Sequence, residues 1–525
     1  MQNNPSQNIN VTNYRRSNEP VQFIESLTLD QKIIIAEIKR FQEWYEGSAE
    51  FRDQCRTSQL SSFWLNRLMN LGVRREVIEV MSTLYSSPKI HPIFEVLNNV
   101  EESHQHLLEE IDQKVSNQIL RLHFKLTLLK NRSLIKHQNW TLNKFNGDSP
   151  YFTWRQRRIL SIQSELGFYG TSIDHPTFAI ELAVGCTVGC TFCAYDAQKL
   201  ESIFDFNNNH NLDLFKAVAR SLQLILGDGC GGGMLYYATE PNDNPDYINF
   251  LETYYQITGY KLCTSTARYN IDWLEDLIKF YSFPEPTFWP RVSVLSPHIM
   301  EKMHRHFSPL EFIYPSILAQ SIEIEDERAK VPGGREKFGM KVLSQVKDAR
   351  QYTSADQVDY SLIPQGSIAC VTGFRINMVQ KTITLTSPCY TSYKWSHGYR
   401  NFGTVSFSTP DSVYPAFIDL INRFIPNSTD NHLIFSWRDD LDFRLFEDGF
   451  ELVSPYLFHS FRGSEFYKAI GLIYSKHRQL LFQEMRDKIT ANVPGSSILT
   501  ASFLLKRFFD AGLINEAVYY DPSTT

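Results

Sequence analysis

The chain has 525 residues, too many for one ordinary core, so two to four domains are expected. Hydrophobic residues make up 42% and charged residues 21%, a globular balance rather than a disordered or fibrous one. With 52 basic against 58 acidic side chains the formal net charge is −6, which gives no basic footprint for nucleic acid.

Residues 1–20 are rich in Asn, Ser and Gln and read as a disordered tail. Their opening, MQNNPSQNINVTNYRR, lacks the apolar core of a signal peptide. No apolar run in the chain approaches the roughly 20 residues that span a bilayer, so a cytoplasmic protein is expected, without membrane. Residues 21–148 read as an all-helical domain. Ile33, Ile34, Ile38, Phe41 and Trp44 recur at helical spacing. A second helix carries Leu60, Phe63, Trp64 and Leu68 and stops near Gly72, and a third runs from Glu76 to Leu84. Pro88 and Pro92 interrupt the pattern. A long helix then runs from about Ile93 to Leu134, with Leu107, Leu108, Ile111, Val115, Ile119 and Leu122 on its apolar side. The plain reading of this domain is packing, and the functional one is a lid or a peptide-contacting surface.

GDSP, Gly147 to Pro150, reads as a linker. Over residues 149–409 short apolar strands alternate with helices, the pattern of β/α units around a parallel sheet. Strands are expected at Phe178 to Ala183, Met234 to Ala238, Leu262 to Thr266, Arg291 to Leu295 and Ile368 to Met378. Helices are expected at about 212–226, 246–258, 271–280 and 297–304, with a long one near Leu310 to Ile324. The VPGG stretch, Val331 to Gly334, reads as a surface loop. Residues 410–430 read as a linker. Residues 431–525 suggest a small winged-helix-like module. Its strands are expected at Phe435 to Trp437, Phe443 to Phe446 and Phe450 to Val453, with a hairpin turn at Asp448-Gly449. Its helices are expected near Glu465 to Ile489 and Ile498 to Ala511.

The chemistry concentrates in TFAIELAVGCTVGCTFCAYD, Thr177 to Asp196. An apolar run leads into Cys186, Cys190 and Cys193, spaced C-x3-C-x2-C. Three thiolates on one loop can hold three corners of a cubic iron–sulfur cluster and leave the fourth iron open to a small molecule. The competing reading is zinc or a chance triplet. Structural zinc prefers four protein ligands, and only Asp196 or His175 offers itself as a fourth. The loop sits at the C-terminal end of the first strand, where ligands bind in parallel α/β folds. The other cysteines, at 55, 230, 263, 370 and 389, form no second close cluster.

The spacing, with Phe192 before the last cysteine, resembles the radical S-adenosylmethionine (SAM) enzymes. That resemblance implies an α/β fold: a partial (β/α)6 barrel, here with an N-terminal all-helical domain and a C-terminal winged-helix-like module. It implies one [4Fe-4S] cluster on Cys186, Cys190 and Cys193, with SAM chelating the open iron and yielding a 5′-deoxyadenosyl radical. An electron donor such as flavodoxin or ferredoxin comes with it. In MLYYATEPNDNPDY, Glu240, with Thr239 beside it, stands where the family places a carboxylate on the SAM amine, although Ala238-Thr239 replaces the usual Gly-Gly. Phe192 corresponds to an aromatic near adenine. Ser265 and Ser293, at strand ends, are candidates for the SAM carboxylate or ribose. Each has a plainer reading: surface carboxylate, local packing or capping hydroxyl. The glycine-rich GDGCGGG, Gly227 to Gly233, lacks a phosphate-cradle pattern and reads as a connection.

Gly366 to Gly403, together with YYATEP, resembles the radical SAM peptide epimerases of proteusin-type ribosomal natural products. This implies conversion of L- to D-residues in a precursor peptide. The Cα hydrogen would be abstracted, and a cysteine thiol would return hydrogen to the opposite face. Cys370, expected on the last barrel strand and facing the lumen, is the first candidate donor, and Cys389 the second. The plain reading of either is a small buried hydrophobe. The C-terminal module resembles leader-peptide recognition elements, so the implied partner is a precursor peptide of leader plus core. The alternatives are another radical SAM peptide modification, a cross-link or side-chain cleavage, and a metal-bound adaptor without catalysis.

Overall fold

The structure is a computed structural model that describes residues 19–86, 105–143, 149–166, 170, 173–190, 193, 195–288, 290–320, 370–389, 395, 397–426, 433–454 and 458–516. Residues 1–18, Pro88, Pro92, the VPGG stretch and Phe192, for which expectations were stated, lie outside these.

The chain opens with helices α1 Glu19–Ser26, α2 Leu29–Gly47, α3 Ala49–Arg56, α4 Ser62–Asn70, α5 Arg75–Ser86, α6 Gln105–Lys114 and α7 Gln118–Asn143. Among the described residues this region is all-helical, as expected. Thr28 and Gln31 cap α2 reciprocally, each side chain accepting from the other's backbone N–H. The single long helix expected up to Leu134 is instead two. Asn117 interrupts it, its side chain accepting from the N–H groups of Ile119 and Leu120 to start α7. Val115, Ile119 and Leu122 are nevertheless buried.

Next come α8 Pro150–Leu166, β1 Phe178–Glu181, α9 Asn209–Leu226, α10 Tyr247–Thr258, β2 Thr264–Thr266, α11 Ile271–Ser282, β3 Pro290–Val294, α12 Pro297–His306 and β4 Ser316–Ala319. They are followed by β5 Gly373–Asn377, β6 Thr382–Pro388, β7 Tyr399–Ser406 and α13 Pro410–Phe424. The chain ends with β8 Asp442–Phe446, β9 Gly449–Val453, β10 Phe458–Arg462, α14 Glu465–Lys476, α15 Phe482–Asn492 and α16 Ile498–Asp510.

These elements form two compact units: Met1–Lys144 with Ile203–Asp326, and Phe145–Ser202 with Glu327–Thr525. The β/α region is therefore shared between the two units. In the first unit, α2 buries Ile34, Ile35, Ile38, Phe41 and Trp44. The buried Arg40 donates to the carbonyls of Leu71, His304 and Phe307, docking α2 on the end of α12. β2, β3 and β4 form a parallel sheet in that order. β4 replaces the helix expected near Leu310 to Ile324. Pro315 has no N–H and disfavours the helical conformation in the residue before it, and the burial of Ile317 and Ala319 alternates as in a strand. The strand expected at Met234 to Ala238 shrinks to one parallel bridge, Met234 to Cys263.

In the second unit, β1, β5, β6 and β7 make a mixed sheet. β1 runs parallel to β5, with Phe178 opposite Phe374, and β6 and β7 are antiparallel additions. One face is apolar: Phe374 stacks on Tyr151 of α8 and meets Phe417 of α13 edge to face. α13 corrects the linker expected at 410–430. Thr409 and Pro410 start this helix, and Val413, Ala416, Phe417 and Leu420 are buried. The C-terminal strands β8–β9–β10 form an antiparallel sheet, followed by helices as expected. β10 is additional, and the helix expected over Glu465 to Ile489 is divided by a short ladder, Ile434–Phe435 with Leu480–Leu481. The fold is thus mixed α/β with small sheets, and among the described residues no barrel closes. No described helix is long and apolar enough to cross a membrane.

Candidate functional site

The cysteine loop leaves the buried end of β1. Gly185 turns the chain at φ +86, and a Cβ there would lie 2.2 Å from the Lys199 carbonyl on the returning limb. Cys186 N–H donates to Gln198 O at 2.9 Å, and Glu201 N–H to Val184 O at 2.9 Å, closing the loop at its base. Inside it, Val188 N–H donates to Cys186 Sγ at 3.4 Å and Cys193 N–H to Cys190 O at 3.3 Å. Cys186, Cys190 and Cys193 are half-buried, and none of them is in a disulfide. Among the described residues no three His, Cys, Asp or Glu side chains are already drawn to one metal position. The loop thus gathers three thiols without closing them on a point. The donor set fits a cluster with one open iron: three thiols on one closed loop, none of them in a disulfide.

The sheet face beside this loop is polar. Buried Glu181 accepts from Arg375 Nε at 2.9 Å and Nη2 at 3.2 Å, a two-pronged pair. Asn377 bridges Glu181 and the Ala183 carbonyl. Arg375 Nη1 also donates to Tyr399 Oη at 3.4 Å. Burial pushes the Tyr399 hydroxyl's pKa up, and Arg375 opposes this. Sequence reasoning missed Glu181, Arg375 and Tyr399. The available signal was a charge at the centre of the apolar strand GFRIN.

Cys370 and Cys389 lie elsewhere on the same sheet. Cys370 precedes β5 rather than lying on it, and packs against Ile162, Leu166 and Ile173. Cys389 follows β6, fully buried, beside Arg400, Glu165 and Arg158. Its thiol is pushed up to about 12 by burial. Ile162, Leu166, Arg158 and Glu165 all belong to α8, so both thiols stand on the helix-covered face. They also stand past the end where β1 and β5 begin, whereas the cysteine loop follows the other end, about 15 Å away at ~3.3 Å per residue. The expected lumen-facing strand position of Cys370 is thereby corrected.

In the first unit Glu240 is buried. Its Oε1 accepts from Thr266 Oγ1 and from Asn242 N–H at 3.1 Å, and its Oε2 from Ala267 N–H at 2.9 Å. Burial raises its pKa against these bonds. A carboxylate has about four acceptor positions, so one is left for a ligand ammonium. Thr239 is half-buried beside it. Ser265 on β2 and Ser293 on β3 are brought together, their hydroxyls 3.4 Å apart. Thr266, not Ser265, serves Glu240.

No family model matches the chain, and no solved structure matches it. It is 31% identical over 395 residues to a protein of Sinorhizobium fredii named Uncharacterized protein y4wI, an alignment covering 73% of each chain.

Proposed function

The chain belongs to the family of the Sinorhizobium fredii protein y4wI, and we propose from its own residues that it is a radical SAM enzyme modifying a ribosomally made peptide in the cytoplasm. The observation that carries this is the C-x3-C-x2-C loop at the C-terminal end of β1, whose three thiols are in no disulfide. Cys186, Cys190 and Cys193 would hold three irons of a [4Fe-4S] cluster and leave the fourth for SAM. When bound and reduced by an electron donor of the flavodoxin or ferredoxin kind, cluster and SAM supply a carbon-centred oxidant able to take hydrogen from an unactivated C–H bond. Glu240 offers its remaining acceptor position to the SAM amine. Thr239, Ser265 and Ser293 offer hydroxyls to its carboxylate or ribose, and Phe192 an aromatic face to adenine. The fold intended is the partial (β/α)6 barrel of that class. The C-terminal module supplies a sheet edge on which a leader segment can add as a strand.

Within this class we assign peptide epimerisation, L to D, with hydrogen returned by a thiol of Cys370 or Cys389. A second reading is another radical modification, a cross-link or side-chain cleavage. It is favoured by the placement of both thiols on the α8 side of the sheet. Processing a co-expressed precursor peptide in heavy water separates the two. D-residues, each carrying one deuterium and lost in Cys370→Ala or Cys389→Ala, support the first. A net mass change in ordinary water supports the second. Iron and sulfide analysis after anaerobic purification tests both, since zinc alone would reject either and leave a peptide-binding adaptor.

A further inference from the structure

The sheet of the C-terminal module has two outer strands, β8 and β10, and no described strand pairs with the outer side of either. Beside β8 lies an open pocket of about 560 Å3. Its walls include Asp442, Phe443 and Arg444, three consecutive residues of that strand. Successive side chains of a strand point to opposite faces, so a pocket touching all three borders the edge of the strand rather than one face. Phe443 turns inward, against Phe450 and Tyr474, while Asp442 and Arg444 are exposed. Trp437, Tyr474 of α14 and Arg478 just past α14 also line the pocket.

The charges along this edge are unevenly used. The Arg478 guanidinium lies over two rings, 5.1 Å from the centroid of Phe443 and 5.2 Å from that of Tyr474. Stacking holds the group flat and leaves the donors at its rim for a carboxylate. Among the described residues neither Arg478 nor Arg444 makes a hydrogen bond or ion pair. Their neighbours are engaged: Arg438 grips Asp440 with two bonds of 2.9 Å, and Asp439 accepts from Asn515 at 3.0 Å. Asp442 is the one exposed acid of the pocket without an ion pair, so two unused cations face one unused anion. The buried indole N–H of Trp437 also has no acceptor among the described residues.

We propose that an extended peptide segment adds to the outer edge of β8 and sets an acidic side chain against Arg478 and Arg444. Backbone bonds to the strand supply affinity, and the stacked guanidinium supplies selectivity for a carboxylate. That the segment is the leader of a precursor peptide rests on the function proposed above. The edge and the charge it selects come from the pocket.

The test pans a phage-displayed library of random peptides on the immobilised full chain and measures binding of the selected peptides by fluorescence anisotropy. Selected sequences are expected to be enriched in Asp and Glu. Arg478→Glu should weaken their binding at least about tenfold. Arg462→Glu, the same charge change on β10, should leave it unaltered. On the wild-type chain, bound peptide should slow backbone hydrogen exchange over residues 442–446 and not over 458–462, a readout that needs no variant. Failure to select any binder, binders without acidic residues, binding indifferent to Arg478→Glu, or protection on β10 instead of β8 each overturns the proposal. Neither iron nor SAM enters the measurement, so its failure leaves the radical SAM reading standing, and a chain that takes up no iron leaves the pocket's claim intact.

Discussion

Glu240 shows how one side chain can serve both its own fold and a ligand. Its oxygens accept from Thr266, Asn242 and Ala267, which pins the turn after residue 240 to the end of β2. Glu240→Gln places an amide NH2 against at least one of those donors, and should cost about 1–3 kcal/mol of stability in denaturant unfolding. The pH dependence follows from the raised pKa. A folded-state value above the unfolded one near 4.5 gives a contribution complete at lower pH and lost as pH rises through the folded value. Glu240→Gln should remove that part of the loss above pH 4.5, and an unchanged slope would contradict the burial argument. At this scale the spacing of Cys186, Cys190 and Cys193 was legible as one short loop, closed at its base by the Cys186 N–H to Gln198 O bond. The sequence was not legible where a partner is far along the chain. Glu181 and Arg375 are 194 residues apart, and nothing local to either announces the pair. Nor could it say which face Cys370 would take, because that depends on where β5 begins.

At the scale of elements, strand pairing and helix docking make separate claims. β1 and β5 pair closely because Gly373 has no side chain: a Cβ there would lie 1.9 Å from the Thr177 carbonyl, a backbone atom that cannot swing aside. Gly373→Ala should destabilise the second unit by about 3 kcal/mol, an overpacking cost, seen as a lowered unfolding midpoint. Loss below ~1 kcal/mol would mean that the two strands separate easily. In the first unit α12 meets α2 through His304 Nε2 and Glu43 Oε2, 2.9 Å apart. Burial lowers the His304 pKa to about 4 from 6.5. The unfolded chain therefore binds the proton first, and stability is lost as pH falls from about 6.5 towards 4. His304→Gln should flatten unfolding free energy over that window, and retention of the full slope would assign it to other groups. Two elements misread from sequence have physical causes. Phe312, Ile313 and Ile317 recur at helical spacing, but Pro315 between them ends any helix and begins β4. Residues 410–430 look like a linker because of Pro410 and Pro415, yet the first is a helix-starting proline and the helix buries its apolar side.

For the whole molecule, a β/α pattern after an all-helical region and before a three-strand module was legible from periodicity and turn residues. The partition was not: the helical region shares a unit with residues 203–326, and the cysteine loop shares one with the C-terminal module. Such groupings depend on long-range packing that a local pattern does not encode. The relationship to the Sinorhizobium fredii protein gives a family without a named chemistry, so the account stands on the three thiols. Its central claim is tested most directly by incubating the anaerobically reconstituted chain with SAM and dithionite and measuring 5′-deoxyadenosine. The account predicts that 5′-deoxyadenosine forms with wild type and falls at least about tenfold with Cys186→Ala, as loss of a metal ligand should cause. Wild type that binds iron and sulfide but yields no more 5′-deoxyadenosine than Cys186→Ala would contradict it.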